Sequence, residues 1–155
     1  TEMRARLVLL GVALAAGCGK TDETVPVHPV RGQVLYDGKP AGGVKVYLHP
    51  TSAPMVPQIP WNPYGVTAAD GTFELSTYGN RDGAAEGGYQ VVLIWTPPAG
   101  EGEEPSSDDK LLGWYGPVYS KLTAEVRPGT NQLPAFKLPA VTKAPAEVEG
   151  IPGKN

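Results

Sequence analysis

The sequence predicts an all-β fold, an antiparallel Greek-key β-sandwich of about seven strands, and three observations carry the prediction. Glycine (20) and proline (17) are frequent while charged residues make up only 19%, and glycine and proline punctuate short strands and turns. Hydrophobic residues, 41% of the chain, fall in alternating runs, which excludes a wholly disordered polypeptide. The third observation is Val66-Thr67-Ala68-Ala69-Asp70-Gly71-Thr72-Phe73-Glu74-Leu75. It reads as two short strands about an Asp-Gly turn, with Val66 and Ala68 alternating before it and Phe73 and Leu75 after it. Asp and Gly tolerate the positive φ of a tight hairpin. The 155 residues suffice for one ordinary domain.

The N-terminal stretch has its own logic. Arg4 and Arg6 precede the apolar run Leu7 to Leu14, small residues Ala15-Ala16-Gly17 follow, and then comes Cys18, the sole cysteine. That is the order of a secretory signal peptide, and the run falls short of the roughly 20 residues a membrane-spanning helix needs. A lone cysteine cannot form an internal disulfide. Leu14-Ala15-Ala16-Gly17-Cys18 resembles the lipobox of bacterial lipoproteins, with Ala15 where leucine is commonest. The resemblance implies cleavage after residue 17, a diacylglycerol on the Cys18 thiol and membrane attachment through it. Gly19, in place of Asp, is compatible with sorting to the outer membrane, so the expected address is the cell envelope.

Residues 18–28 are read as a tether, small and polar at first and then extended by Pro26 and Pro29. The first strand is Val30 to Tyr36, with Val30, Val34 and Tyr36 on one face. Asp37 to Gly43 is a turn-rich connection. Val44 to His49 is the second strand, with Val44, Val46 and Leu48 inward. Residues 51–63 carry Pro54, Pro57, Pro60 and Pro63, a density that precludes regular structure.

After the Asp-Gly stretch, residues 78–87 read as a polar loop. Gly88 to Trp95 is the longest apolar strand, with Tyr89, Val91, Leu93 and Trp95 on one face and Val92 and Ile94 on the other. Apolar character on both faces marks a central or covered strand. Residues 97–109 form an acidic loop, and 110–121 are semi-apolar. Leu122 to Arg127 alternates as a strand, Pro128 to Asn131 is a turn, and Gln132 to Leu138 is the last strand, with Phe136 and Leu138 inward. Residues 139–155, rich in Pro and Ala, read as a disordered tail.

Four pieces in order resemble the carboxypeptidase regulatory-like domain, a transthyretin-like (prealbumin-like) β-sandwich. They are Val30-Arg31-Gly32-Gln33-Val34-Leu35-Tyr36-Asp37-Gly38-Lys39-Pro40, Ala41-Gly42-Gly43-Val44-Lys45-Val46, Ala69-Asp70-Gly71-Thr72-Phe73-Glu74-Leu75 and Gly87-Gly88-Tyr89-Gln90-Val91. The resemblance covers residues 29–138 and implies the fold. It implies no activity, since such domains serve as accessory, spacer or ligand-binding modules.

Composition and motifs narrow the chemistry. A formal charge of −3 without a basic stripe argues against a nucleic-acid partner. His28 and His49, the only histidines, lack converging partners in the sequence. The pattern of a P-loop, a nucleophile elbow or a His-Glu-x-x-His zinc site does not occur, so no cofactor, metal or catalytic residue is expected. The C-terminal residues Ile151 to Asn155 lack the Tyr-Arg-Gly-Ser-like ending of the 5-hydroxyisourate hydrolases that share the transthyretin fold.

Two binding readings stand beside this. Glu101, Glu103, Glu104, Asp108 and Asp109 could hold calcium, although their spacing is not that of an EF-hand and favours a solvated loop. Trp61, Tyr64, Trp114, Tyr115 and Tyr119 could form a ligand surface, or could cap the open ends of the sandwich. The sequence therefore points to a non-catalytic envelope lipoprotein whose sandwich serves structure or interaction with an envelope protein or glycan. A carbohydrate-binding module using the loop aromatics is the alternative, and a hydrolase built around the histidines is the third.

Overall fold

The computed structural model describes residues 24–54, 63–104 and 106–146. The expected signal peptide over residues 1–17, Cys18, Trp61 and residues 147–155 lie outside that range. Among the described residues the chain is all-β and without a helix. The strands are β1 (Val27–His28), β2 (Val30–Tyr36), β3 (Lys39–Pro40), β4 (Lys45–Pro50), β5 (Tyr64–Val66), β6 (Thr72–Glu74), β7 (Ala84–Ala85), β8 (Gly87–Ile94), β9 (Thr123–Val126), β10 (Asn131–Gln132) and β11 (Phe136–Leu138). Four of the eleven have two residues, which leaves seven longer strands.

Two sheets enclose the core. In one, β2 is the central strand: β10 and β11 run parallel along one edge, and β6 and β3 run antiparallel along the other. In the other the order is β5-β4-β8-β9, all antiparallel. Val30, Val34, Phe73, Leu75, Phe136 and Leu138 from the first sheet meet Val44, Val46, Leu48, Tyr89, Val91, Leu93 and Val126 from the second in one buried cluster. The alternation of β2, β4, β8 and β9 thus places the inward residues where period two requires. The parallel pairing of β10 and β11 is a departure from a uniformly antiparallel sandwich. Pro134, which has no N–H to give to a ladder, lies in the gap between the two short strands.

The β8 strand is central, as its apolar faces suggest. Beyond Gln90 its outer edge is completed by loop rather than by strand. Val91 N–H donates to Leu122 C=O, Leu93 N–H to Tyr115 C=O, and Lys110 N–H to Trp95 C=O. Asp109 organises this loop: its carboxylate accepts from the N–H groups of Trp95 (2.9 Å), Leu111 (3.0 Å) and Gly113 (3.0 Å).

The sandwich extends past both expected limits. Val27 and His28, read as tether, pair with Ala85 and Ala84 in what was read as a polar loop. The prolines on either side hold the short segment extended, and the buried alanines give it a close partner. At the other end, residues 139–146 form no strand but lie against aromatic side chains.

The Asp-Gly stretch differs from a simple hairpin. Its turn forms, with Gly71 at φ 76° and Asp70 Oδ1 accepting from the Thr72 N–H (3.0 Å) and hydroxyl (2.6 Å). Those bonds hold the Asp70 carboxyl below its ordinary pKa, the hydroxyl contributing most. The arms bridge again at Tyr64 and Ser76. Between these two points they belong to different sheets: Val66 pairs with Lys45 and Glu74 with Arg31. The first arm also has inverted parity. Val66 is 50% exposed, whereas Thr67 is 4% exposed. The Thr67 hydroxyl donates to Ala41 C=O (2.6 Å) and accepts from Val44 N–H (2.8 Å), so burial costs it no hydrogen bond.

Candidate functional site

The split between β5 and β6 opens a cleft of about 580 Å³. Its floor is backbone. A Cβ on Gly65 would stand 2.3 Å from Glu74 C=O, so glycine is what lets the arms cross there. The walls carry Arg31, Tyr64, Glu74, Ser76, Asn80 and Arg81.

These side chains are held by their elements. Arg31 and Glu74 are register partners on β2 and β6, and Arg31 Nε meets Glu74 Oε1 at 2.7 Å. Arg81 Nη1 meets Glu74 Oε2 at 3.1 Å. Arg81 itself sits at φ 60°, with its N–H donating to Ser76 Oγ (2.9 Å). Its loop folds around Asp82, whose carboxylate accepts from the N–H groups of Thr77, Tyr78 and Gly79. Both guanidinium groups are more than half exposed, so each pair stabilises the fold by about 1 kcal/mol at most. Their consequence is chemical. One carboxylate between two guanidinium groups leaves a net positive charge in a cleft of a chain whose formal charge is −3, with N–H donors suited to an oxyanion or a hydroxyl.

Tyr64 forms the apolar wall. It is 46% exposed and stacks on Tyr47, with ring centroids 5.8 Å apart. Val66 lies beside it. Among the described residues, six large apolar side chains are exposed: of these Tyr64 and Val66 line this cleft, and Leu112, Trp114 and Val118 lie on the 110–120 loop. The sequence marks Tyr64 and Val66 but not the cleft they line, because the cleft arises from the splitting of a hairpin.

The four described aromatic residues of the expected ligand surface do not come together as one group. Tyr64 belongs to β5, whereas Tyr115 lies beyond the far edge of β8. With β4 and β8 between them, the separation is three strand spacings, about 14 Å. Trp114 and Tyr119 accompany Tyr115, and Trp61 is outside the described residues. Tyr115 packs against the core beside Tyr36 and Trp95; burial pushes its phenol pKa up, and Tyr36 adds to the shift. Trp95 stands edge-on to Tyr36 at 5.4 Å, and Lys110 Nζ lies 4.6 Å over the Trp95 ring.

The histidines are on separate sheets, His28 on β1 and His49 on β4, and neither lines the cleft. His28 Nδ1 accepts from Gly129 N–H (3.2 Å), and partial burial lowers the His49 imidazole pKa. The hydrolase reading expects converging polar groups around His28 or His49 in one pocket. In the acidic loop, Asp109 is committed to backbone N–H groups, and Glu103 accepts from Gly100 N–H. Among the described residues no three His, Cys, Asp or Glu side chains come together as metal ligands.

No protein-family profile matches the chain, and no curated protein matches it. Among solved structures, a DUF3823 family protein from Bacteroides ovatus is similar at 18% identity and a TM-score of 0.37, over 74% of this chain and 44% of that one. The chain thus spans less than half the length of that structure.

Proposed function

We propose that the chain is a non-catalytic lipoprotein of the cell envelope, a carboxypeptidase regulatory-like sandwich held by an acylated Cys18, which binds its partner through the β5/β6 cleft. The observation that carries the reading is the cleft itself. It joins an exposed tyrosine wall to an Arg-Glu-Arg rim on the edges of two sheets, so that one aromatic face stands beside several hydrogen-bonding side chains. The sequence of residue types from Arg4 to Cys18 supports the anchor, and the four glycine-punctuated motifs from Val30 to Val91 support the family. Partners with carboxylate or hydroxyl groups beside an apolar face fit best.

The exposed Tyr64 ring favours one version of this, a glycan ligand, because a sugar's apolar face packs on an aromatic ring while guanidinium and carboxylate groups hydrogen-bond its hydroxyls. Two measurements test the proposal. The intact mass of protein extracted from membranes is expected to begin at an acylated Cys18; a soluble chain with a free thiol would remove the anchor. A glycan array probed with wild type and Tyr64→Ala is expected to lose signal in the variant. Signal that survives the substitution would remove the cleft as the glycan site. Turnover of chromogenic ester or glycoside substrates above the buffer rate would overturn the non-catalytic reading.

A further inference from the structure

The segment after β11 is recognised in an unusual way. Residues 139–146, Pro-Ala-Val-Thr-Lys-Ala-Pro-Ala, form neither helix nor strand. Aromatic side chains nevertheless bond to them at three points. Val141 N–H donates to the Tyr36 hydroxyl (3.0 Å), Trp114 Nε1–H donates to Lys143 C=O (2.8 Å), and the Tyr119 hydroxyl donates to Ala146 C=O (3.0 Å). Each bonded atom of the segment belongs to the main chain, so these contacts do not read its side chains.

The shelf that makes these contacts is preorganised. Asp109 fixes the start of the 110–120 loop, Leu111 is fully buried, and Tyr36 is braced edge-on by Trp95. The segment does not cover the shelf: Leu112, Trp114 and Val118 stay 38%, 39% and 53% exposed beside it. Fixed indole and phenol groups bonding the main chain of a proline-flanked segment are the physical basis of proline-rich peptide recognition, where the ligand's low conformational entropy lowers the cost of binding.

We infer that the 110–120 aromatic shelf is a peptide-binding site for an extended, proline-flanked segment of a partner protein, and that residues 139–146 occupy it in cis. The inference does not depend on the cleft. A partner peptide must displace the tethered segment, whose effective concentration is on the order of millimolar. The partner's additional contacts would fall on Leu112, Trp114 and Val118.

The test uses the full chain and a full-length variant in which residues 139–146 are replaced by a Gly-Ser sequence of equal length. The probe is a synthetic peptide of residues 139–146 with blocked ends, followed by the Trp114 indole resonance in nitrogen-15 spectra. Saturable binding is expected in the Gly-Ser variant, returning that resonance to its wild-type position, and at least tenfold weaker binding in wild type. Trp114→Phe in the same background keeps an aromatic ring and removes the indole donor; followed by the backbone amide resonances of residues 110–120, about tenfold weaker binding is expected, one hydrogen bond's worth. Failure of millimolar peptide to bind a folded Gly-Ser variant, or equal binding to both chains, would overturn the inference. A wild-type dimer that becomes monomeric in the Gly-Ser variant would overturn it in favour of a second copy as the occupant.

Discussion

Of the three Asp-Gly dipeptides in the chain, Asp37-Gly38 and Asp70-Gly71 make turns, and the two fold differently. Asp37 and Gly38, at φ 50° and 73°, link β2 to β3 in a two-residue hairpin, with Tyr36 opposite Lys39 and Leu35 opposite Pro40. This is the tight turn that the dipeptide favours. Asp70-Gly71 makes a turn too, but its arms separate. The difference arises on β2. The edge of that strand is shared: β3 takes Leu35 and Tyr36, β6 takes Arg31 to Gln33, and at Val34 the N–H donates to Gly71 C=O while the C=O accepts from Ala41 N–H. Gly71 therefore joins two strand partners in one continuous ladder. The dipeptide fixes a reversal of direction; which sheets receive the arms is decided by unpaired edges elsewhere in the chain. The cleft is the gap that this competition leaves.

Glycine replacement should expose the contrast most strongly. A Cβ on Gly71 would lie 2.4 Å from Val34 C=O and 3.1 Å from Ala41 N, both backbone atoms, and the residue also has positive φ. Around Gly38, with similar φ, nothing lies within 4 Å. Gly71→Ala is expected to cost about 3 kcal/mol or more and Gly38→Ala about 1 kcal/mol in urea unfolding. Equal costs would show that Gly71 is not seated on β2.

Thr67→Val comes next. It keeps the shape and leaves Val44 N–H and Ala41 C=O without the hydroxyl they share, for an expected loss of about 2 kcal/mol. If Val66 rather than Thr67 faced the interior, the substitution would be neutral, and Val66→Ala would carry the loss instead.

The smallest effect is acid sensitivity. Asp70 has a folded pKa below its unfolded value, so its contribution is present above the unfolded value and lost as pH falls through the lower folded one. Thr72→Val removes the hydroxyl that is the largest cause of the shift. The variant should lose less stability than wild type on acidification through the carboxylate range; parallel pH profiles would contradict this account of the turn.

The sequence made the core faces legible because apolar residues at period two need no knowledge of the partner strand: Val30 and Val34, Val44, Val46 and Leu48, and Tyr89, Val91 and Leu93 are buried accordingly. Positions decided by a distant backbone were not legible. Gly65 is required by the approach of Glu74 C=O, and Thr67 is inward because its hydroxyl meets two main-chain groups from residues 41 and 44. An apolar-in rule assigns both incorrectly. The parallel strands β10 and β11 depend on an edge of β2 about 100 residues earlier, and the docking of residues 139–146 depends on main-chain atoms that every sequence possesses.

The most direct test of the split hairpin is the set of scalar couplings transmitted through backbone hydrogen bonds in the labelled protein. The account predicts couplings from Val34 N to Gly71 C′, from Leu75 N to Val30 C′, from Thr67 N to Val44 C′ and in both directions between Tyr64 and Ser76. It predicts no reciprocal pair between Val66 and Glu74. Reciprocal couplings between those two residues would contradict it, since they would close the hairpin into one sheet and with it the cleft.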